Sequence, residues 1–214
     1  MGLLKAQQNS LAAQPAQSAP GLEDLPMLLQ GLTDSDEELR RMSAKELGLY
    51  PQAAESLGQQ LMVETNAGVC ESILNSLGRI GTEESVRVLL PFLRSERVFL
   101  RNETIEVLKS LPQSVAPAMQ ELIQDPDPDV RIFAVNVLES LRHPKVLDWL
   151  IEVLENDLHI NVCATALDLL SEVGDESCLP ALEAATHRFP NEPYLQFAVN
   201  MAKHRITEGK GATE

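Results

Sequence analysis

The chain has 214 residues, 44% of them hydrophobic but only 4% aromatic, so Leu, Val, Ile and Ala must build its core. It carries 17 basic and 32 acidic residues, a formal net charge of −15, and residues 121–185 alone hold 14 acids against 3 bases. That balance argues against duplex nucleic acid, whose binding rests on phosphate neutralisation, and against anionic membrane surfaces; a protein partner with a basic segment is compatible with it.

Residues 1–20 contain one charge, Lys5, among many Gln, Ala, Ser and Pro residues, the composition of a flexible tail that is expected to span 1–22. The opening "MGLLKAQQNS" has no signal-peptide core, and Ala6 stands where a myristoylation motif needs Ser or Thr. No run approaches the roughly 18 apolar residues of a membrane span. A cytoplasmic location is therefore expected. The last residues, 207–214, read as a frayed end.

Between these ends lies a repeat over residues 23–206. An apolar anchor recurs at Leu39, Val69, Leu100, Val130, Val162 and Leu195, at intervals of 30, 31, 30, 32 and 33 residues. Four residues after each anchor come Ser43, Ile73, Thr104, Ala134, Ala166 and Val199. Eight after it come Leu47, Leu77, Leu108, Leu138 and Leu170, then Lys203. Spacings of four and eight share one helical stripe, and a Lys at the last position fits a terminal cap that meets water. A second apolar helical stretch precedes each anchor, as in "VRVLLPFL" and "VLDWLIEVL", and Pro51, Gly81, Pro112, Pro144 and Gly174 punctuate the links. The expected fold is all-α, a solenoid of about six helical hairpins.

The stretch "DPDPDVRIFAVNVLESL" resembles a HEAT repeat of the short kind also found in phycobilisome-lyase-type proteins. The residues that carry the likeness are Asp125, Pro126, Asp127, Pro128, Val130, Arg131, Ala134 and Leu138. Such repeats occur in adaptors, chromophore lyases, DNA-repair enzymes and a metal hydroxylase, so the resemblance implies a fold before an activity.

Asp125, Asp127 and Asp129 alternate as in a calcium loop, but Val130 stands where that loop needs Gly and Asn136 where it needs Glu. The stretch reads instead as a turn with an Asp capping the next helix, and Arg131 bracing a neighbouring turn. The four histidines, His143, His159, His187 and His204, lack the following Glu of the hydroxylase, so no metal is expected. Cys70 and Cys163 occupy equivalent positions three repeats apart, about 30 Å, and read as structural thiols, with neither disulfide nor zinc expected from three unclustered cysteines. Trp149 reads as a plug between the fourth and fifth hairpins.

In this architecture the second helices line the inner curve. The positions expected to project from them are Arg41, Lys45, Asn75, Asn102, Glu106, Asn136, Glu139 and Asp168, with apolar Phe197 and Met201 in the last unit. Amides can both donate to and accept from a peptide backbone, and the later acids would favour a basic segment. The expected function is a non-catalytic scaffold or adaptor that binds a partner segment on its concave face, without a cofactor. The alternative is a bilin-lyase-like enzyme or its accessory.

Overall fold

The computed structural model describes residues 23–208. The tail expected over 1–22 lies outside the described residues, as does that over 207–214 apart from residues 207 and 208, which belong to the last helix. Six hairpins follow one another, with no strand among the described residues. They pair α1 (Leu25–Gly31) with α2 (Glu37–Leu47), α3 (Ala54–Val63) with α4 (Ala67–Ile80), and α5 (Glu83–Leu89) with α6 (Val98–Lys109). The fourth joins α7 (Pro112–Val115) and α8 (Met119–Leu122) to α9 (Pro128–Ser140). The last two pair α10 (Val146–Asn156) with α11 (Ile160–Val173) and α12 (Leu179–Arg188) with α13 (Pro193–Glu208).

Local chemistry sets the ends of these helices. Asp36 accepts from the Glu38 N–H at 2.8 Å, and Asn66 from the Gly68 and Val69 N–H groups at 2.9 and 3.1 Å. Thr82 and Ser85 form a reciprocal capping box at the start of α5. Gly81 closes α4 at φ +62°, a left-handed conformation that a side chain would strain. The first helix of the fourth hairpin is broken into α7, a 3-10 turn at Ala116–Ala118 and α8. Pro117 within that turn has no N–H to continue a ladder.

The second helices pack in sequence, α2 on α4, α4 on α6, α6 on α9, α9 on α11 and α11 on α13. First helices form the other layer, with α3 on α5 and α10 on α12. The repeat stripe supplies this contact. Val69, Leu100, Val130, Val162 and Leu195 are buried, as is every residue four positions on. The Leu residues eight positions on are buried too, each worth about 1.5–3 kcal/mol. Lys203 is half-buried at the end of the array. Leu39 departs from the pattern at 43% exposure, because no earlier described hairpin covers it. Where α2 meets α4, Ser76 Oγ donates to the Ala44 carbonyl at 2.7 Å, and a Cβ on Gly48 would stand 2.9 Å from that Oγ.

A second pattern runs along the turns. The residue after each anchor reaches back to its own turn. Arg40 donates to the Asp34 carbonyl at 2.9 Å, Arg101 to Ser95 at 2.9 Å and Arg131 to Asp125 at 2.7 Å. Cys70 and Cys163 point their thiols at the carbonyls of Glu64 and Asp157, at 3.6 and 3.4 Å. Gln196 does the same work with its amide, donating to Phe189 at 2.9 Å. Arg40 also grips Glu64 of the next turn, and Arg131 grips Asp157 of the next turn. Both acids are nearly buried, so these pairs tie adjacent hairpins together.

Trp149 is 5% exposed and bridges the fourth and fifth hairpins, as the sequence implies. Its Nε1–H donates to Gln120 Oε1 at 3.1 Å, and its ring stacks on His143 with centroids 4.9 Å apart.

Candidate protein-binding groove

The acidic turn is committed to structure. Asp125 Oδ1 accepts the Asp127 N–H and Asp127 Oδ1 accepts the Asp129 N–H, both at 2.9 Å. The other oxygen of Asp125 is paired with Arg94. Asp127 is the Asp that caps α9. Among the described residues no group of three His, Cys, Asp or Glu is placed to hold a metal ion.

The cysteines are buried, and burial pushes all three thiols upward, Cys163 to about 11. A thiol held that high stays protonated at neutral pH and is a poor nucleophile.

The groove positions fall on the second helices. Arg41 and Lys45 are exposed on α2, Asn75 on α4, Asn102 and Glu106 on α6. Arg41 is engaged locally by Glu38, whose carboxyl its guanidinium holds below the usual range, and Glu106 accepts from Lys109 Nζ at 3.5 Å. Asn136 is half-buried on α9, with Glu139 and Asp168 exposed on α9 and α11.

The structure brings together three of these eight. Asn136, Glu139 and Asp168 line one cavity of about 210 Å³ between α9 and α11, with Val135, Thr165, Leu169 and Glu172. Asn136 also lines a cleft of about 260 Å³ between α6 and α9. Its floor is apolar, from Leu93, Ile105, Val130, Ile132 and Phe133, and its rim carries Arg101, Lys109 and Asp129. Arg41, Lys45, Asn75, Asn102 and Glu106 line neither cavity. Sequence reasoning did not place Thr165 and Glu172 in the groove. They lie three and four residues to either side of Asp168, on the same helical face, and that spacing was the available signal.

The acidic cavity presents three carboxylates and two donors or acceptors, a surface suited to a Lys or Arg side chain with its backbone. At the far end of the layer, Tyr194, Phe197 and Met201 stand exposed on α13.

Residues 25–109 and 115–201 match the family model of HEAT repeats. The bilin biosynthesis protein PecE of Mastigocladus laminosus is 28% identical over 157 residues, covering 72% of this chain and 57% of that protein. The chain thus spans somewhat more than half the length of that relative. Among solved structures, Mini spindles TOG3 of Drosophila melanogaster matches with a TM-score of 0.53 at 16% identity, over 83% of this chain and 92% of that one, which shows a shared fold. The CpcE–CpcF complex of phycocyanin lyase from Nostoc sp. PCC7120 matches with a TM-score of 0.38 at 18% identity, over 92% of this chain and 99% of that one.

One expectation is corrected by these comparisons. The sequence pointed to a chain that is not an enzyme, and the likeness to a protein of bilin biosynthesis overturns it. That expectation rested on the lack of a local catalytic motif, whereas a repeat scaffold distributes its working side chains over several hairpins. With the match running through both halves of the array, the chain belongs to the HEAT-repeat family.

Proposed function

We propose that the chain is a bilin-lyase-type subunit that seats a segment of a partner protein, one bearing a basic residue, on the face of its second helices. The observation that carries this reading is the convergence of Asn136, Glu139 and Asp168 on one cavity, with Glu172 beside them. Three carboxylates there favour a cation, and the Asn136 amide can register the partner's backbone. The likeness to PecE supplies the setting, work on a linear tetrapyrrole.

The test is a coloured, covalent adduct formed when the chain is incubated with a bilin and apo-phycocyanin. Adduct should form with the wild-type chain and fall several-fold in Asn136→Ala with Asp168→Lys, while the helical circular-dichroism signal and Tm hold. No adduct with the wild-type chain, or the same yield from the double variant, would sink the reading.

A further inference from the structure

The arginines after the anchors do not all end alike. Arg40 makes a two-pronged grip on Glu64, with Nε to Oε2 at 2.8 Å and Nη2 to Oε1 at 3.2 Å. Arg131 repeats it on Asp157, at 2.6 and 3.0 Å. In both cases Nη1 is spent on the arginine's own turn, and the Nε–Nη2 edge takes a carboxylate five residues before the next anchor.

Arg101 makes the first bond, Nη1 to the Ser95 carbonyl at 2.9 Å, but not the second. The carboxylate that should answer it is Asp125, and Arg94 of the same hairpin holds that group instead. Among the described residues no carboxylate is bonded to the Nε–Nη2 edge of Arg101. Arg101 lines the apolar cleft between α6 and α9, with Lys109 on the same rim.

We propose that the Nε–Nη2 edge of Arg101 is a carboxylate-binding fork at the mouth of the α6–α9 cleft, and that it receives an acidic side chain of the partner segment while an adjoining apolar side chain enters the cleft. This rests on the reading of the groove above. Two arginines of this same chain show what such a fork binds. The cleft, at about 260 Å³, falls below the usual size of a small-molecule pocket but suits one apolar side chain. It shares Asn136 with the acidic cavity, so a single extended segment can cross both. Helix layers about 10 Å apart correspond to about three extended residues. The segment that fits therefore reads apolar, acidic and, about three residues on, basic.

The experiment is a titration of the full chain with capped five-residue peptides, followed by the NMR signal of the Arg101 Nε–H. The peptide LEGGK should bind about five- to tenfold more tightly than LQGGK. Arg94→Ala is the decisive variant. It lies outside the cleft, but it frees Asp125 to fill the fork from within, so the ratio between the two peptides should fall to about one while Tm is retained. Equal binding of the two peptides by the wild-type chain, or an unchanged ratio in Arg94→Ala, would overturn the inference. The peptide LEGGE reports separately on the acidic cavity. If Lys matters and Glu does not, the fork falls and the groove reading stands; if neither matters, both fall. Isovalerate binding as tightly as LEGGK would assign the fork to a free small acid and overturn the protein-segment source.

Discussion

Arg97 places its Nη2 3.5 Å from the sulfur of Cys70 and donates from Nη1 to the Glu64 carbonyl at 2.6 Å. The same arrangement recurs three hairpins on, where Arg188 donates to the Asp157 carbonyl at 2.8 Å beside Cys163. In both hairpins the residue after the anchor is a Cys rather than an Arg, and its thiol is a weak donor. An Arg from the following hairpin supplies the strong one. The expected outcome for Arg97→Ala is a loss of about 1 kcal/mol, or a Tm lower by about 2–4 °C. Placing Arg at position 70 in that background restores a donor from the other side and should recover at least half of the loss in thermal melts. A double variant no more stable than Arg97→Ala alone would contradict the exchange of donors.

Glu64 gives the fold a specific acid sensitivity. The Arg40 guanidinium, with the Asn66 N–H and the Gln60 amide, holds its carboxyl down at about 2 against the burial that pushes it up. The folded state thus favours the carboxylate more than the unfolded chain does. The stabilisation is complete above about pH 5 and disappears as pH falls towards 2, and it is on the order of 3 kcal/mol. Urea unfolding of the wild type and Glu64→Gln across this range should show a difference at pH 7 that closes near pH 2. A difference independent of pH would rule out the linkage.

The Arg131–Asp157 pair joins two hairpins and is nearly buried, whereas the Arg41–Glu38 pair lies within one helix and faces solvent. Asp157 also accepts the His159 N–H at 2.8 Å, and its removal leaves Arg131 without its partner in a nearly closed turn. Asp157→Ala should cost about 3–5 kcal/mol, whereas Glu38→Ala, on a solvent-exposed pair, should leave stability nearly unchanged. Denaturant midpoints measured on both variants check the contrast, and comparable losses would contradict it.

Trp149 is the single Trp of the chain, so its fluorescence reports one joint. Native emission should be blue-shifted, and Gln120→Ala, which leaves the indole N–H without its acceptor, should shift it to the red with a modest loss of stability of about 1 kcal/mol. A fully red-shifted native spectrum would contradict the burial.

The period of the fold was legible because the stripe at Val130, Ala134 and Leu138 recurs with chemically similar residues in most units. The end effect at Leu39 was not, since nothing in a stripe says which unit comes first. The break in the first helix of the fourth hairpin follows from Pro117, whereas Pro112 starts α7 at a position where its missing N–H costs nothing. Of the groove, helical spacing put the named positions on the second helices but could not say which neighbours converge. Asn136, Glu139 and Asp168 meet because α9 and α11 bring their faces together, whereas Asn75 and Asn102 line neither that cavity nor the α6–α9 cleft. The exchange of donors around Cys70 and Cys163 had a sequence trace, a missing Arg in one unit and a new one at Arg97 or Arg188, but only the turn geometry gives it meaning.

Arg94 does more than pair with one carboxylate. Its bond to Asp125 ties the third hairpin to the turn of the fourth, in place of the two-pronged strap that joins the first hairpin to the second and the fourth to the fifth. The clasp at this joint is thus held from outside the cleft, and the side of the joint that an incoming segment would enter keeps its arginine in reserve.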